Sequence, residues 1–301
     1  MTYKLIRSIF ILLFAVNTVA QETQFNLLRS LPQQANTAFT GSSGQNRLVI
    51  GSSYIGYLQN FYNLSNYVGY DQYVKKLHGG LGVELNQLTY WNFNTRGTTR
   101  LMLNYAYHAN LADRLKLSAG IGAGIQHDYM NISSANPYAT LAEDSTLNAV
   151  NFRWKTGFVL HSNNLYFGSQ FVSGAKSRKE PNLSSRSFFT LVGGGAIKPF
   201  KNKELAFSPS FLYAYQDGFQ SLQLQMVFST GKFALGVNST FNSSIGILGA
   251  AYFKKFDLKY HYNMRTSPLS YPSLQEHEFI FTYHFKSMNN TRDKFFAPKL
   301  F

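Results

Sequence analysis

Between positions 47 and 285 bulky apolar side chains return at every second residue, in short runs. A period of two describes an extended strand with two unlike faces and is incompatible with an amphipathic helix. The run LKLSAGIGAGIQ shows the pattern. Leu115, Leu117, Ala119, Ile121, Ala123 and Ile125 fall on one side, and Lys116, Ser118, Gly120, Gly122, Gly124 and Gln126 on the other. A soluble strand fills its second face with charged or long polar side chains, yet half of this one is glycine. In LAFSPSFLYAY, Leu205, Phe207, Pro209, Phe211, Tyr213 and Tyr215 oppose Ala206, Ser208, Ser210, Leu212 and Ala214. In FDLKYHYN, Phe256, Leu258, Tyr260 and Tyr262 oppose Asp257, Lys259, His261 and Asn263. The large residues keep to one face throughout, which suits a lipid-facing wall around a small-residue or polar lumen.

Fourteen such runs can be marked: 47–55, 67–74, 80–88, 99–108, 115–126, 149–160, 165–172, 188–197, 205–215, 221–229, 233–239, 245–253, 257–263 and 277–285. Their lengths are near the roughly 9–11 residues that a tilted strand needs to cross a bilayer, and an even count closes an up-and-down barrel with both ends on one side. The connections alternate in length. Those after even-numbered runs are short, around 75–79, 109–114, 161–164, 198–204, 230–232 and 254–256, whereas those after odd-numbered runs include 56–66, 127–148, 173–187 and 264–276. Outer-membrane barrels have short periplasmic turns and long outer loops, so both mature termini are expected in the periplasm. The short turns carry Lys75, Lys76, Arg114, Lys116, Lys198, Lys201, Lys203, Lys232, Lys254 and Lys255, a basic rim suited to anionic lipid or an acidic partner.

The beginning of the chain agrees with export. Lys4 and Arg7 precede the apolar run from Ile9 to Val16, and Thr18 and Ala20 stand at the small positions of a signal-peptidase site. No apolar run approaches the ~20 residues of a membrane helix. Mean hydropathy is −0.18, and only 14% of residues are charged while 16% are aromatic, so greasy and polar positions are interleaved rather than segregated. With no cysteine, an exported fold must be held by strand pairing alone. The net charge of +14 is unaccompanied by zinc spacing or an arginine-rich helix, which argues against nucleic acid as a partner.

No constellation marks catalysis. The seven histidines show neither an i, i+4 pair nor a tight carboxylate cluster, so no metal, cofactor or catalytic site is expected. His108, His127 and His161 fall at strand ends, where a solvated surface is expected. His261 and His284 should face the lumen near Asp257, Lys259 and Glu278, as part of a polar lining. The runs Gly79-Gly80-Leu81-Gly82 and Gly193-Gly194-Gly195 lack the Lys-Ser or Lys-Thr of a phosphate loop, and they read as tight bends and lumen clearance. The segment 21–46 shows no alternation and is expected to fold inward, against the glycines of 115–126 and 188–197.

Three stretches together resemble the PorP/SprF family of outer-membrane proteins from the type IX secretion and gliding-motility systems of Bacteroidetes. In ETQFNLLRSLPQQANTAFTGSSG, Asn36, Ala38, Phe39 and Gly41 match the family's Asn-Pro-Ala-Phe-Ala-Gly motif, with Thr37 and Thr40 in place of Pro and Ala. YDQYVKKLHGGLGVEL supplies Tyr70, Asp71, Gln72, Tyr73, Leu77, His78, Gly79, Gly80 and Gly82, and EHEFIFTYHF supplies His277, Glu278 and Phe285. With NYAYHANLADRLKLSAGIGAG, Asn104 to Gly124, the similarity spans the mature chain.

The resemblance implies a non-enzymatic outer-membrane barrel that supports secretion or surface anchoring of a type IX-secreted client such as a gliding adhesin. The client's end domain would be met on the extracellular side, with periplasmic type IX machinery and outer-membrane lipid as further partners. The alternative from the residues alone is a channel or transporter for a small solute or hydrophobic ligand. The expected organisation is a signal peptide 1–20, a plug segment 21–46, an all-β transmembrane barrel of about 14 antiparallel strands 47–285 with a partly plugged lumen, and a tail 286–301.

Overall fold

The computed structural model describes residues 31–56, 62–91, 95–132, 145–162, 164–174, 187–197, 205–216, 219–241, 243–265 and 275–285. The expected leader 1–20, residues 21–30, the tail 286–301 and most of the long connections lie outside this set. Fourteen antiparallel strands follow one another around a closed barrel. They are β1 (Arg47–Gly56), β2 (Tyr62–Val74), β3 (Gly79–Trp91), β4 (Thr95–Ala112), β5 (Leu115–Ile132), β6 (Ser145–His161), β7 (Leu165–Val172), β8 (Phe188–Gly195), β9 (Ala206–Gln216), β10 (Phe219–Ser229), β11 (Phe233–Thr240), β12 (Ser244–Tyr252), β13 (Phe256–Arg265) and β14 (Gln275–His284). The seam closes where β14 returns to β1, from Arg47 opposite His284 to Gly56 opposite Gln275. Closure leaves no free sheet edge, as a chain surrounded by hydrocarbon requires.

All fourteen expected strands are present, and β7 has its expected bounds. β4 and β5 reach 18 residues each, longer than their apolar alternation suggested; the excess of β5 lies toward the long-connection end, whereas β4 extends at both of its ends. The short connections, such as Lys75–His78 between β2 and β3, share the other end with the start of β1 and the end of β14. Their described basic residues Lys75, Lys76, Arg114, Lys232, Lys254 and Lys255 are exposed.

The two faces separate as their chemistry demands. Leu235 is 71% exposed beside Ala234 at 2%, and Ile121 is 61% exposed between the buried Gly120 and Gly122. Exposed Leu, Ile, Val and Phe stand on β1 to β7 and on β10 to β14, far beyond any patch a monomeric soluble protein presents to water.

The lumen is partly plugged. Residues 31–45 enter it as one helical turn, α1 (Pro32–Ala35), followed by a 3-10 turn over Thr37–Phe39. Leu31 belongs to one buried apolar cluster with Val49, Tyr67, Val227, Ala234, Leu248 and Ile280, which project inward from β1, β2, β10, β11, β12 and β14. Ala38 and Phe39 pack against Val159, Tyr166 and Val192 of β6, β7 and β8 on another part of the wall. The plug is thus held by apolar contacts at Leu31 and again at its 3-10 turn.

The histidine expectations divide. His261 lies in the lumen with its Nδ1 3.4 Å from Glu278, and His284 Nε2 is 2.9 Å from Asp257. His127 faces outward and stacks on Tyr129. His108 and His161, expected on a solvated surface, are buried at 5% and 4% exposure. Alternation carries His108 to the inward face shared with Met102, Asn104 and Ala106, and that face is covered by the plug.

Candidate functional site

The plug is built from short-range backbone choices that leave its polar atoms pointing at the wall. Pro32 starts α1, where a missing N–H is harmless. Asn36 ends it in an extended conformation, and its Oδ1 accepts the Ala38 N–H at 2.9 Å, capping the 3-10 turn. The same side chain donates from Nδ2 to the carbonyls of Phe158 at 3.2 Å and Ser169 at 2.8 Å, bridging β6 and β7. Beside it Thr37 N donates to Gln170 Oε1 at 2.8 Å, and Gln170 Nε2 returns a bond to the Gln34 carbonyl at 3.2 Å. Phe39 meets Tyr166 edge to face at 5.9 Å.

The opposite side of the plug is tied to β2, β3, β4 and β6. Gly41, with φ +69°, donates its N–H to Asp71 Oδ2 at 2.7 Å, and Asp71 also accepts from Arg47 Nε at 2.9 Å and Nη2 at 2.7 Å. His108 bonds the Thr40 carbonyl through Nε2 at 2.9 Å and Ser118 Oγ through Nδ1 at 2.7 Å. Gln33 donates to the Tyr70 carbonyl at 3.2 Å and accepts from Asn104 Nδ2 at 2.9 Å, while its own carbonyl accepts from Lys155 Nζ at 3.1 Å. Lys155 and Asn104 both bond the Glu84 carboxylate.

Glycine makes this contact close. A Cβ on Gly80 would strike the Thr40 carbonyl, one on Gly82 the Gln33 side chain, and one on Gly157 the Asn36 side chain; one on Gly120 would lie 2.5 Å from Ala38 N. The expectation that the glycines of 115–126 and 188–197 receive the N-terminal segment therefore holds at Gly120 alone. A Cβ on Gly122 would meet Asn104 and Lys155, one on Gly124 the β4 backbone, and ones on Gly193 and Gly194 neighbouring strands and rings.

Because Asn36 satisfies three backbone groups at once, its replacement should act beyond its size. Asn36→Ala removes the cap and both bridging donors, and an expected loss of about 2–3 kcal/mol follows from bonds worth roughly 0.5–1.5 kcal/mol each. Asn36→Asp should do at least as much harm, since a carboxylate would face the Phe158 and Ser169 carbonyls. Urea melts of the purified barrel, with Gln45→Ala at an exposed position as reference, test both.

Of the residues singled out in the sequence, Asn36, Ala38, Phe39, Gly41, Asp71, Gly80 and Gly82 meet at this joint, with Tyr73 beside His108 at 6.0 Å between ring centroids. Tyr70 contributes its carbonyl but turns its ring outward, 6.2 Å from Phe285 at the seam, and its hydroxyl bonds Gln72. Leu77, His78 and Gly79 shape the β2–β3 turn. Leu77 O accepts from Tyr105 Oη, His78 adopts the left-handed conformation with φ 48°, and Gly79 lies against the Ala106 carbonyl. His277 and Glu278 lie elsewhere, His277 on the outer surface bonded to Tyr260 and Glu278 in the lumen with His261. Sequence reasoning did not single out Gln33, Arg47, Glu84, Lys155, Gly157 or Gln170, and it placed His108 on a solvated surface. An inward place in the alternation was the available signal for Glu84, His108 and Lys155.

On the long-connection side of the plug lies a cavity of about 60 Å³, bordered by Gln34 of the plug and by Glu84, Arg100, Arg153, Lys155 and Gln170. That is room for a few water molecules or one small polar group.

A closed barrel with an apolar outer band and a lumen stoppered by its own N-terminal segment defines an outer-membrane protein. Solved structures agree in fold: a TodX monoaromatic hydrocarbon channel deltaS2 mutant at 10% identity, covering 84% of this chain and 93% of that one with a TM-score of 0.52; the Acinetobacter baumannii outer membrane protein Omp33 at 10% identity, 82% and 100% coverage and 0.50; and the P. putida toluene transporter TodX at 9%, 83% and 92%, and 0.50. No curated protein matches the sequence. The chain belongs to the PorP/SprF family: the family described as type IX secretion system membrane protein PorP/SprF matches residues 17–283.

Proposed function

We propose that this type IX secretion outer-membrane protein is a non-enzymatic partner for one exported client, such as a gliding adhesin, holding or passing its end domain at the extracellular mouth. The observation that carries this reading is the plug, bonded to β2, β4, β6 and β7 around the lumen, which suits a platform better than an open conduit. In this reading the long connections face outward and form the client surface. The short-turn rim, with exposed Lys75, Lys76, Lys232, Lys254 and Lys255, faces the periplasm, where its charge meets secretion machinery or anionic lipid.

The test is affinity capture of the tagged barrel from gently solubilised native outer membranes, followed by mass spectrometry. A large exported surface protein recovered in near-equal amount supports the reading and names the client. A barrel recovered alone shifts the weight to a channel, which the cavity above the plug favours and planar-bilayer conductance would then examine.

A further inference from the structure

Closure removes sheet edges only at the height that all fourteen strands share. β6 pairs with β5 along its whole length, from Ser145 opposite Ile132 to His161 opposite Lys116, but with β7 only from Lys155 to His161. One further rung follows at Trp154, whose N–H donates to Ser173 Oγ at 2.9 Å and whose carbonyl accepts the Ser173 N–H at 2.9 Å. Beyond it the chain turns from β6, and Gly174 N donates instead to Ser187 Oγ at 2.7 Å, beside the start of β8. Residues 145–153 therefore rise above β7. Because the backbone of Trp154 faces the β7 side, the period of two gives the same direction to Phe152, Val150, Asn148 and Thr146. Leu147, Ala149 and Asn151 face β5 instead, opposite Met130, Asp128 and Gln126. Along the edge, the N–H and C=O groups of Thr146, Asn148, Val150 and Phe152 meet no partner strand among the described residues, and the side chains of these residues are exposed on the outer face.

A row of alternating N–H and C=O groups is matched by an extended chain and by little else. This chain offers poor occupants of its own. The connection 175–186, AKSRKEPNLSSR, has no alternation in its sequence and carries Pro181, which cannot donate to a ladder. The tail 286–301 begins at the opposite end of the barrel, where β14 finishes. A second copy inserted in the same sense is misaligned. Strands of such barrels tilt by about 35–45°, so two β6 edges related by an axis along the membrane normal would cross at about 70–90° and form no ladder.

The geometry points to the β6 edge from Thr146 to Phe152 as the place where an extended segment of the exported client's end domain adds as a strand. This rests on the client reading, which puts the long connections outside the cell. Val150 and Phe152 point outward, whereas Asn151 and Asp128 lie on the inward face at the same height. The segment that fits therefore alternates, with apolar side chains beside Val150 and Phe152 and polar ones toward the mouth. Its affinity comes from main-chain bonds and its selectivity from that alternation.

Val150→Pro tests the edge, because the N–H it removes is one that β5 does not use and its ring stands in the path of an incoming strand. In affinity capture from native outer membranes, this variant should retain about tenfold less of the exported protein that accompanies the wild-type barrel. Val150→Thr keeps the N–H and a β-branched side chain and should retain it in full. Heat-modifiable gel mobility confirms that the variant barrels are closed; if Val150→Pro does not close, Asn148→Pro, nearer the end of the strand, takes its place. Residue-resolved hydrogen exchange of the full chain reads the edge without any variant. In the isolated barrel the amides of Thr146, Asn148, Val150 and Phe152 should exchange fast and those of Leu147, Ala149 and Asn151 slowly, and the fast set should become protected in the captured complex. Undiminished capture by a closed proline variant, or a fast set left unprotected in the complex, would overturn the edge while leaving the client reading in place. Equally slow exchange of both sets in the isolated barrel would show the edge already filled by this chain and would overturn it as well. A wild-type barrel recovered alone would end both readings.

Discussion

Gly120→Leu is expected to drive the plug off the wall while leaving the barrel closed. A Cβ at this position would lie 2.5 Å from Ala38 N, 2.6 Å from Thr37 C and 2.8 Å from Ala38 Cα, and all three are backbone atoms that no rotamer change can move. Overpacking of this kind costs about 1–3 kcal/mol where the neighbours can yield. Here the yielding partner is the plug, because Gly120 itself is paired on both sides, with Ala106 of β4 and Gly157 of β6. The population with the plug displaced should rise about 5- to 150-fold, and protease cleavage within the plug should accelerate in proportion while opening remains fast. The neighbouring glycines make the experiment specific. A Cβ on Gly122 meets the movable Asn104 and Lys155 side chains, and Gly231, with open space around it, should accept Leu without effect. Wild-type cleavage rates in Gly120→Leu, with the barrel still closed by gel mobility, would falsify the wedge.

The wall was legible in the sequence because a lipid-facing strand writes its two faces in different alphabets. Phe256, Leu258, Tyr260 and Tyr262 stand against Asp257, Lys259, His261 and Asn263, and the structure keeps that division. The reading shortened β2, β4, β5 and β6 for the complementary reason. At their long-connection ends the outward residues become Asn66, Thr99, His127 and Asn148, so both faces are polar or mixed and the period-two signal fades although pairing continues.

The joint was less legible. Asn36 could be singled out by motif, but its partners, the Phe158 and Ser169 carbonyls, are backbone groups more than a hundred residues away and leave no mark on side-chain pattern. Gly157 and Gly120 looked alike as inward glycines. Only the path of the plug decides that one clears a side chain and the other a peptide plane. His108 carried its inward phase openly, yet its nearness to a turn suggested solvent, and burial came from a segment outside the strand pattern altogether.

Asp71→Ala should be among the most damaging single substitutions in the joint, because one carboxylate serves two masters of different kinds. Its side chain is 0% exposed and takes a bidentate bond from Arg47, itself only 12% exposed, and its Oδ2 also receives the Gly41 N–H. Removing one member of a buried ion pair costs about 3–5 kcal/mol, since the remaining charge has lost its partner but not its burial. Arg47 and Asp71 are register partners on β1 and β2, so this loss falls on the first hairpin and on the strand that closes the seam with β14. The Gly41 N–H falls on the plug. Asp71→Asn separates the two effects: it keeps an oxygen for Gly41 while removing the charge, so protease protection of the plug should outlast the drop in thermal stability. The double variant Arg47→Met with Asp71→Leu separates them the other way, removing both charges and so recovering much of the wall's stability. It still leaves the Gly41 N–H without its acceptor, so the plug should stay sensitive. Thermal unfolding followed by gel mobility, beside proteolysis of the plug, reads the two quantities independently. If all three variants lost stability and plug protection in the same ratio, Asp71 would be acting on the wall alone, and the plug would be held by Asn36, His108 and its apolar contacts at Leu31 and Phe39.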